Sequence, residues 1–373
     1  MISASFTLIC KKIIATMLFK SYKNKSQKIH MEDLTLEHHS IHHIDLINES
    51  LTKPTTPAED SDIEAFGKDV LKGVFTSSRG KAFEFASDTE EVAMLVRGMM
   101  NGGWPVSSVK IANRLLRSEI NSQEGLGNFQ NVSKGALMQM KVSSGESQFI
   151  IFTKVDHGKF MDEKDSKIHF GLPFEKRVQK TCVFEFDGGD TPISIRIFDS
   201  NKKIAKYWWR DFLCCIGLIS SEDNTKKAFN EVDKILTRNL KKQSKPDYTY
   251  LRNNIITYFR SNDAIAFDDF IENIVRSYAP INDNININEI ADKIAALPEK
   301  KGFDTQFEVD KKSINARIKR VVVLAENFEL NIKGEIKDLE RLVNTGIDDE
   351  GKFLKIYSDE GFSEFNRIKN NGQ

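Results

Sequence analysis

The stretch Asn201–Leu240, NKKIAKYWWRDFLCCIGLISSEDNTKKAFNEVDKILTRNL, constrains the fold more than any other part of the chain. Ile204, Tyr207, Trp208, Phe212, Cys215, Ile216 and Ile219 recur at the helical period. That spacing predicts one helix over 203–219 with an apolar stripe turned into a core. Lys202, Lys206 and Arg210 lie four apart, so on such a helix they form a basic stripe on the other side. Ser220, with Asp223 three residues on, is a capping signal for a second helix. Phe229, Val232, Leu236 and Leu240 give that helix its own apolar face. One side of this unit belongs in a core and the other is basic. A solvated lysine face is the bland alternative to a ligand surface.

The basic excess is local. Residues 201–260 hold 13 Lys plus Arg against 6 Asp plus Glu, an excess of seven positive charges, whereas the whole chain of 373 residues balances 54 against 54. Overall neutrality excludes a strongly basic protein that coats nucleic acid. It permits a basic surface, because the field near the ligand is what steers binding. Lys202, Lys203, Lys206, Arg210, Lys226 and Lys227 form one basic group, and Lys311, Lys312, Arg317, Lys319 and Arg320 form a second. Such side chains neutralise phosphates along a duplex and carry no base code. No base-reading zinc finger or RNP motif occurs. Tyr207 and Trp208 fall on the apolar side of their helix and read as core, not as platforms for bases.

The length allows two domains and a sizeable core. In residues 1–30 the apolar run is interrupted by Lys11 and Lys12, so it matches neither a membrane span nor a signal peptide and reads as a poorly ordered extension. Residues 31–200 read as an α+β domain. It has a first strand over Leu34–Leu46, a turn around Pro54 and Pro57, and a helix over Ser61–Thr76. A short strand Lys81–Ala86 and helices Asp88–Met100 and Val106–Ile120 follow. Strands Ala136–Val142, Gln148–Val155, Thr181–Asp187 and Ile193–Asp199 then form an antiparallel sheet. Residues 201–300 read as mainly helical, with Asp247–Ser261, Ile265–Tyr278 and Glu289–Leu297 after the central pair. Residues 301–373 read as a small α+β portion. It has a basic helix over Lys312–Lys319, paired strands Arg320–Ala325 and Phe328–Ile332, a short helix Leu339–Thr345, a strand Phe353–Tyr357 and a polar tail.

Few catalytic signatures are present. There is no phosphate-binding glycine loop and no GxSxG elbow, and no cofactor is expected. Cys10, Cys182, Cys214 and Cys215 make neither a CxxC pair nor a disulfide framework, which suits a reducing cytoplasm. His38, His39, His42 and His43 sit in a predicted strand, where their spacing fits no standard metal site. Asp187, Asp190 and Asp199, near two strand ends with lysines beyond, allow a Mg2+-dependent nuclease as the minority reading. The same DGGD stretch is also what a hairpin turn looks like. The main reading is not an enzyme.

Three stretches carry a family likeness: SIHHIDLI at Ser40–Ile47; KIAKYWWRDFLCCIG with the following FNEVDKIL; and FDTQFEVDKKSINARIKRVVVLAENFELNIKGEI at Phe303–Ile336. On these residues the chain resembles the bacterial nucleoid-associated proteins of the NdpA type, over most of Met31–Tyr357. The resemblance implies a cytoplasmic, nucleoid-located protein that binds DNA and has no known enzymatic reaction. It assigns no DNA-contacting residues, so the candidates rest on charge alone. The expectation is binding to double-stranded DNA without sequence specificity, by a homodimer whose paired basic surfaces gain effective concentration along one duplex. Related architectures serve in defence against phage. A DNA-sensing or DNA-coating component with a protein partner in such a system is therefore the alternative.

Overall fold

Period-two alternation builds the larger half of the molecule. The computed structural model describes residues 33–52, 61–126, 135–161, 164, 166–172 and 179–366; the expected extension over 1–30 and the turn around Pro54 and Pro57 lie outside them. Strands β1 (Thr35–Asp45), β2 (Ser50–Thr52), β3 (Lys81–Phe85), β4 (Gly135–Ser144) and β5 (Ser147–Asp156) are followed by a small β6–β7 hairpin (Gly158–Met161 and Ile168–Gly171). Then come β8 (Lys180–Phe186), β9 (Ser194–Asp199) and β10 (Cys215–Gly217). Eight of these form one sheet in the order β10-β3-β9-β8-β5-β4-β1-β2, and every pairing in it is antiparallel. This is the α+β class that the sequence implied.

Both faces of the sheet are covered, which explains why β5 is buried almost continuously. Phe149, Ile151 and Val155 pack on one face with Phe66, Val70 and Val74 of the helix Ser61–Thr76. Ile150 and Phe152 point the other way, where the helices Glu91–Met100 and Trp104–Leu126 contribute Val92, Val96, Ile111 and Leu115.

A third core is helical. Phe229, Val232 and Leu236 of the helix Ser221–Asn239 meet Leu251, Ile255 and Phe259 of the helix Lys245–Ser261. Ser220 caps the first of these by accepting from the Asp223 amide, as its spacing predicts. This core continues through Phe303, Phe307 and Ile318. Strand β12 (Gln306–Glu308), paired with β11 (Ala264–Ala266), ties it to the sheet. The Thr305 amide donates to the Gly80 carbonyl at 3.1 Å, and Asp304 accepts from the Ala82 amide at 3.0 Å.

The helix expected over 203–219 does not form. Only Tyr207–Phe212 is helical there, as a single π turn, and Cys215–Gly217 becomes the edge strand β10 against β3. The cause lies before and after the turn. Asp199 accepts from the amides of Asn201 and Ala205, and Gln306 donates to the Asp199 carbonyl at 3.0 Å and also to the Asn201 carbonyl. Side chains thereby satisfy the backbone that a helix would have used. At the other end, Cys214 takes a φ of 50°, which stops any helical continuation. Ile204, Trp208, Phe212 and Cys215 are nevertheless buried. Ile216, expected in the core, is exposed on the sheet edge.

Other local expectations change as well. Ile265–Tyr278 is strand β11, a four-residue helix Phe267–Phe270 and a π turn Ile271–Arg276. Strands β13 (Arg320–Ala325) and β14 (Phe328–Ile332) pair as expected. The helix read over Leu339–Thr345 ends at Leu342, and β15 (Val343–Asp348) pairs with β16 (Gly351–Ile356). The polar tail begins with a short helix, Asp359–Phe365.

Candidate nucleic-acid interface

The basic stripe of Lys202, Lys206 and Arg210 needs one continuous helix and is therefore broken. Lys206 and Arg210 stay one turn apart, both exposed, at the π turn. Lys202 sits in the bend before it. Its ammonium is 3.4 Å from Asn262 Oδ1 and 5.1 Å from the centre of the Tyr258 ring.

The fold instead brings two sequence-distant groups together. Strands β11 and β12 place Asp263 beside Glu308, with the Val309 amide donating to the Asp263 carbonyl at 2.9 Å. Lys311 lies 2.7 Å from Asp263, and Lys203 lies 3.0 Å from Glu308. The hydrogen bond from Lys311, with Lys203 adding its charge, holds the Asp263 carboxyl below the usual carboxylate range. Asp310 caps the 3-10 turn Lys311–Ile314 through the Lys312 amide, and its own amide donates to Thr225 at 3.0 Å. That contact brings the start of the helix Ser221–Asn239 alongside. Lys226 is there, bonded to Glu222, with its pKa raised first by that bond and further by Asp310. Lys203, Lys226, Lys311 and Lys312 thus gather around the β11–β12 end.

Arg317, Lys319 and Arg320 define a second patch, one short helix (Asn315–Ile318) further on. Arg252 donates to the Arg317 carbonyl at 2.6 Å and fixes the turn. Arg320 donates to Thr249 at 2.8 Å and stacks on Tyr248 at 5.3 Å; Lys241 approaches the same ring at 5.7 Å. No spacing in the sequence pairs Arg320 with Tyr248, so the ring's role as a support is visible only in the fold. Lys227 stands apart from both patches and donates to the Gly302 carbonyl at 3.2 Å.

Charge pairing sorts these candidates. Lys203, Arg210, Lys226 and Lys311 each have a carboxylate partner. Among the described residues, no carboxylate lies within 4.0 Å of Lys202, Lys206, Lys227, Lys312, Arg317, Lys319 or Arg320. Of these, Lys206, Lys312, Arg317 and Lys319 are exposed, and the last three belong to the two patches. A phosphate could pair with them without breaking an internal ion pair.

The carboxylates of the nuclease reading are not brought together. Asp187 and Asp190 lie on the exposed β8–β9 turn, whereas Asp199 is at the far end of β9, opposite Lys180. The strand length separates them by roughly 15–20 Å. Asp199 is wholly buried and accepts from Lys180 at 3.2 Å. It belongs to an interior network in which Lys154 meets Glu119 at 2.5 Å and the Tyr207 hydroxyl donates to Glu119 at 3.4 Å. Burial pushes the Glu119 carboxyl up, and Lys154 opposes that shift. The network fastens the helix Trp104–Leu126 and the π turn to the sheet. Among the described residues, no three His, Cys, Asp or Glu side chains converge as metal ligands. Of the strand histidines, His42 is buried and His43 faces His157, with Nδ1 3.1 Å from Nε2; burial lowers the His43 pKa.

Among the described residues, no helix is long and apolar enough to cross a membrane. No curated protein matches the chain. A family model described as nucleoid-associated protein YejK matches residues 40–352.

Proposed function

Because the chain belongs to the nucleoid-associated protein YejK family, we propose that it binds double-stranded DNA through its backbone phosphates, without sequence specificity and as a homodimer. The supporting observation is the gathering of Lys203, Lys226, Lys311 and Lys312 at the β11–β12 end, together with exposed cations that, among the described residues, have no carboxylate within 4.0 Å. Neutralising phosphates releases condensed counterions, so cations left unpaired by the fold contribute most to affinity. The aromatic rings near the patches, Tyr248 and Tyr258, are buried supports for Arg320 and Lys202, which argues against base stacking as the mode of contact. Backbone contact without base contact positions a protein on any duplex.

Incubating the full chain with plasmid, with and without Mg2+, tests this reading. Retarded, intact DNA at low salt, insensitive to the metal, is the expected result. Metal-dependent cutting abolished in Asp187→Ala would support the nuclease instead, and no shift at low salt would remove the DNA reading altogether.

A further inference from the structure

One of the two basic patches is occupied by the protein's own carboxylates. Lys203, Lys226, Lys311 and Lys312 share the β11–β12 end with Glu222, Asp263, Glu308 and Asp310, so that end carries no excess positive charge in the free chain. The patch of Arg317, Lys319 and Arg320 differs. Among the described residues, no carboxylate lies within 4.0 Å of those three cations. Two of the ion pairs at the β11–β12 end are built alike. Their acids stand on the hairpin, Glu308 in β12 opposite Ala264 and Asp263 just before β11. Their lysines come from the flanking segments. Lys203 reaches Glu308 at 3.0 Å from the bend after β9, and Lys311 reaches Asp263 at 2.7 Å from the 3-10 turn after β12. All four side chains keep access to solvent.

We propose that Asp263 and Glu308 are internal competitors of phosphate, which hold Lys311 and Lys203 partly off the duplex and so limit how tightly this chain binds DNA. Backbone pairing fixes both acids: Ala264 pairs with Glu308 across the hairpin, and the Val309 amide donates to the Asp263 carbonyl. A lysine stem is flexible and its ammonium is a compact point charge, so the ammonium is the group that can move from carboxylate to phosphate. The hydrogen bond from Lys311, with the charge of Lys203 added, lowers the Asp263 pKa and keeps this competitor ionised at neutral pH. The exchange is within reach, since an exposed ion pair retains its partner by a factor of only about 1.4–5. Two such pairs lower the affinity by about 2–25-fold when both must open. Carboxylates left behind after the exchange also repel the phosphates that displaced them.

The inference rests on the DNA-binding reading, and the experiment separates the two. Fluorescence anisotropy on one duplex, across a salt series, compares the full wild-type chain with Asp263→Asn/Glu308→Gln, with Lys203→Gln/Lys311→Gln and with all four substitutions together. The amide variant should bind at least about threefold tighter than wild type, with a steeper salt dependence, since each lysine that turns to a phosphate adds about 0.9 to the slope of log K against log salt. The lysine substitutions should cost at least about threefold more in the amide background than in wild type, because there the lysines are free to contact DNA. An amide variant with wild-type affinity overturns the inference and leaves DNA binding standing. So does an equal cost of the lysine substitutions in both backgrounds, which would mean that the carboxylates only repel DNA from a distance. No binding by wild type at low salt removes the DNA reading and the inference with it. Should the double amide variant fail to fold, Glu308→Gln with and without Lys203→Gln carries the same two criteria, at about twofold for one pair.

Discussion

Trp208 shows what a single residue contributes. It is fully buried, packs on Phe212 with ring centres 4.9 Å apart, and belongs to the core under one face of the sheet. Trp208→Ala should cost about 3–5 kcal/mol in chemical denaturation, and a near-native midpoint would contradict that placement. Asp304 acts through ionisation. It is buried between the Ala82 amide and Asn224, and burial pushes its pKa up to about 6 from 3.8. The folded chain therefore holds this proton more tightly than the unfolded chain does. Its contribution to stability is fully present below about pH 4 and is lost as pH rises through about 6. The span of about two pKa units corresponds to about 3 kcal/mol. Urea midpoints measured from pH 4 to pH 7 should show this decline in wild type. Asp304→Asn should remove that part of the pH dependence, and parallel curves for the two proteins would contradict the assignment.

Elements were legible where a local signal had no competitor. The helix Ser61–Thr76 and the strands β4, β5, β8 and β9 follow from alternation, apolar period and turn residues. The segment 203–219 misled because its apolar spacing suits a helix, while a π turn and an edge strand bury most of the same side chains. The deciding contacts come from Gln306, far away in sequence, whose amide clamps the 199–202 backbone. The first half of β15, Val343–Thr345, was read as the end of a helix because its alternating face, Val343, Thr345 and Ile347, is short and weakly apolar. Gln306→Ala tests the clamp. It should destabilise by about 1–3 kcal/mol, since it leaves buried backbone groups unpaired. It should also weaken DNA binding although no charge changes, because Lys202 and Lys203 sit on the clamped segment. Unchanged DNA affinity in the folded variant would show that this segment does not present the contacts.

At the scale of the whole molecule, neutrality conceals a division. Lysines paired with carboxylates gather where the helical core joins the sheet, and an acidic segment with exposed apolar side chains lies toward the C-terminus. Composition and sequence spacing supplied the basic residues but not their grouping. The predicted stripe of Lys202, Lys206 and Arg210 gives way to clusters assembled across β11–β12 and around Tyr248. Exposed cations that have no carboxylate within 4.0 Å among the described residues are the proposed contacts to phosphate. Fluorescence anisotropy with two unrelated duplexes, across a series of salt concentrations, tests this assignment most directly. For Lys206→Glu/Lys312→Glu/Arg317→Glu/Lys319→Glu, affinity should fall at least about tenfold on both duplexes. The slope of log K against log salt should become shallower by about 0.9 for each phosphate that the variant no longer neutralises. A folded variant with wild-type affinity and wild-type slope would contradict the account.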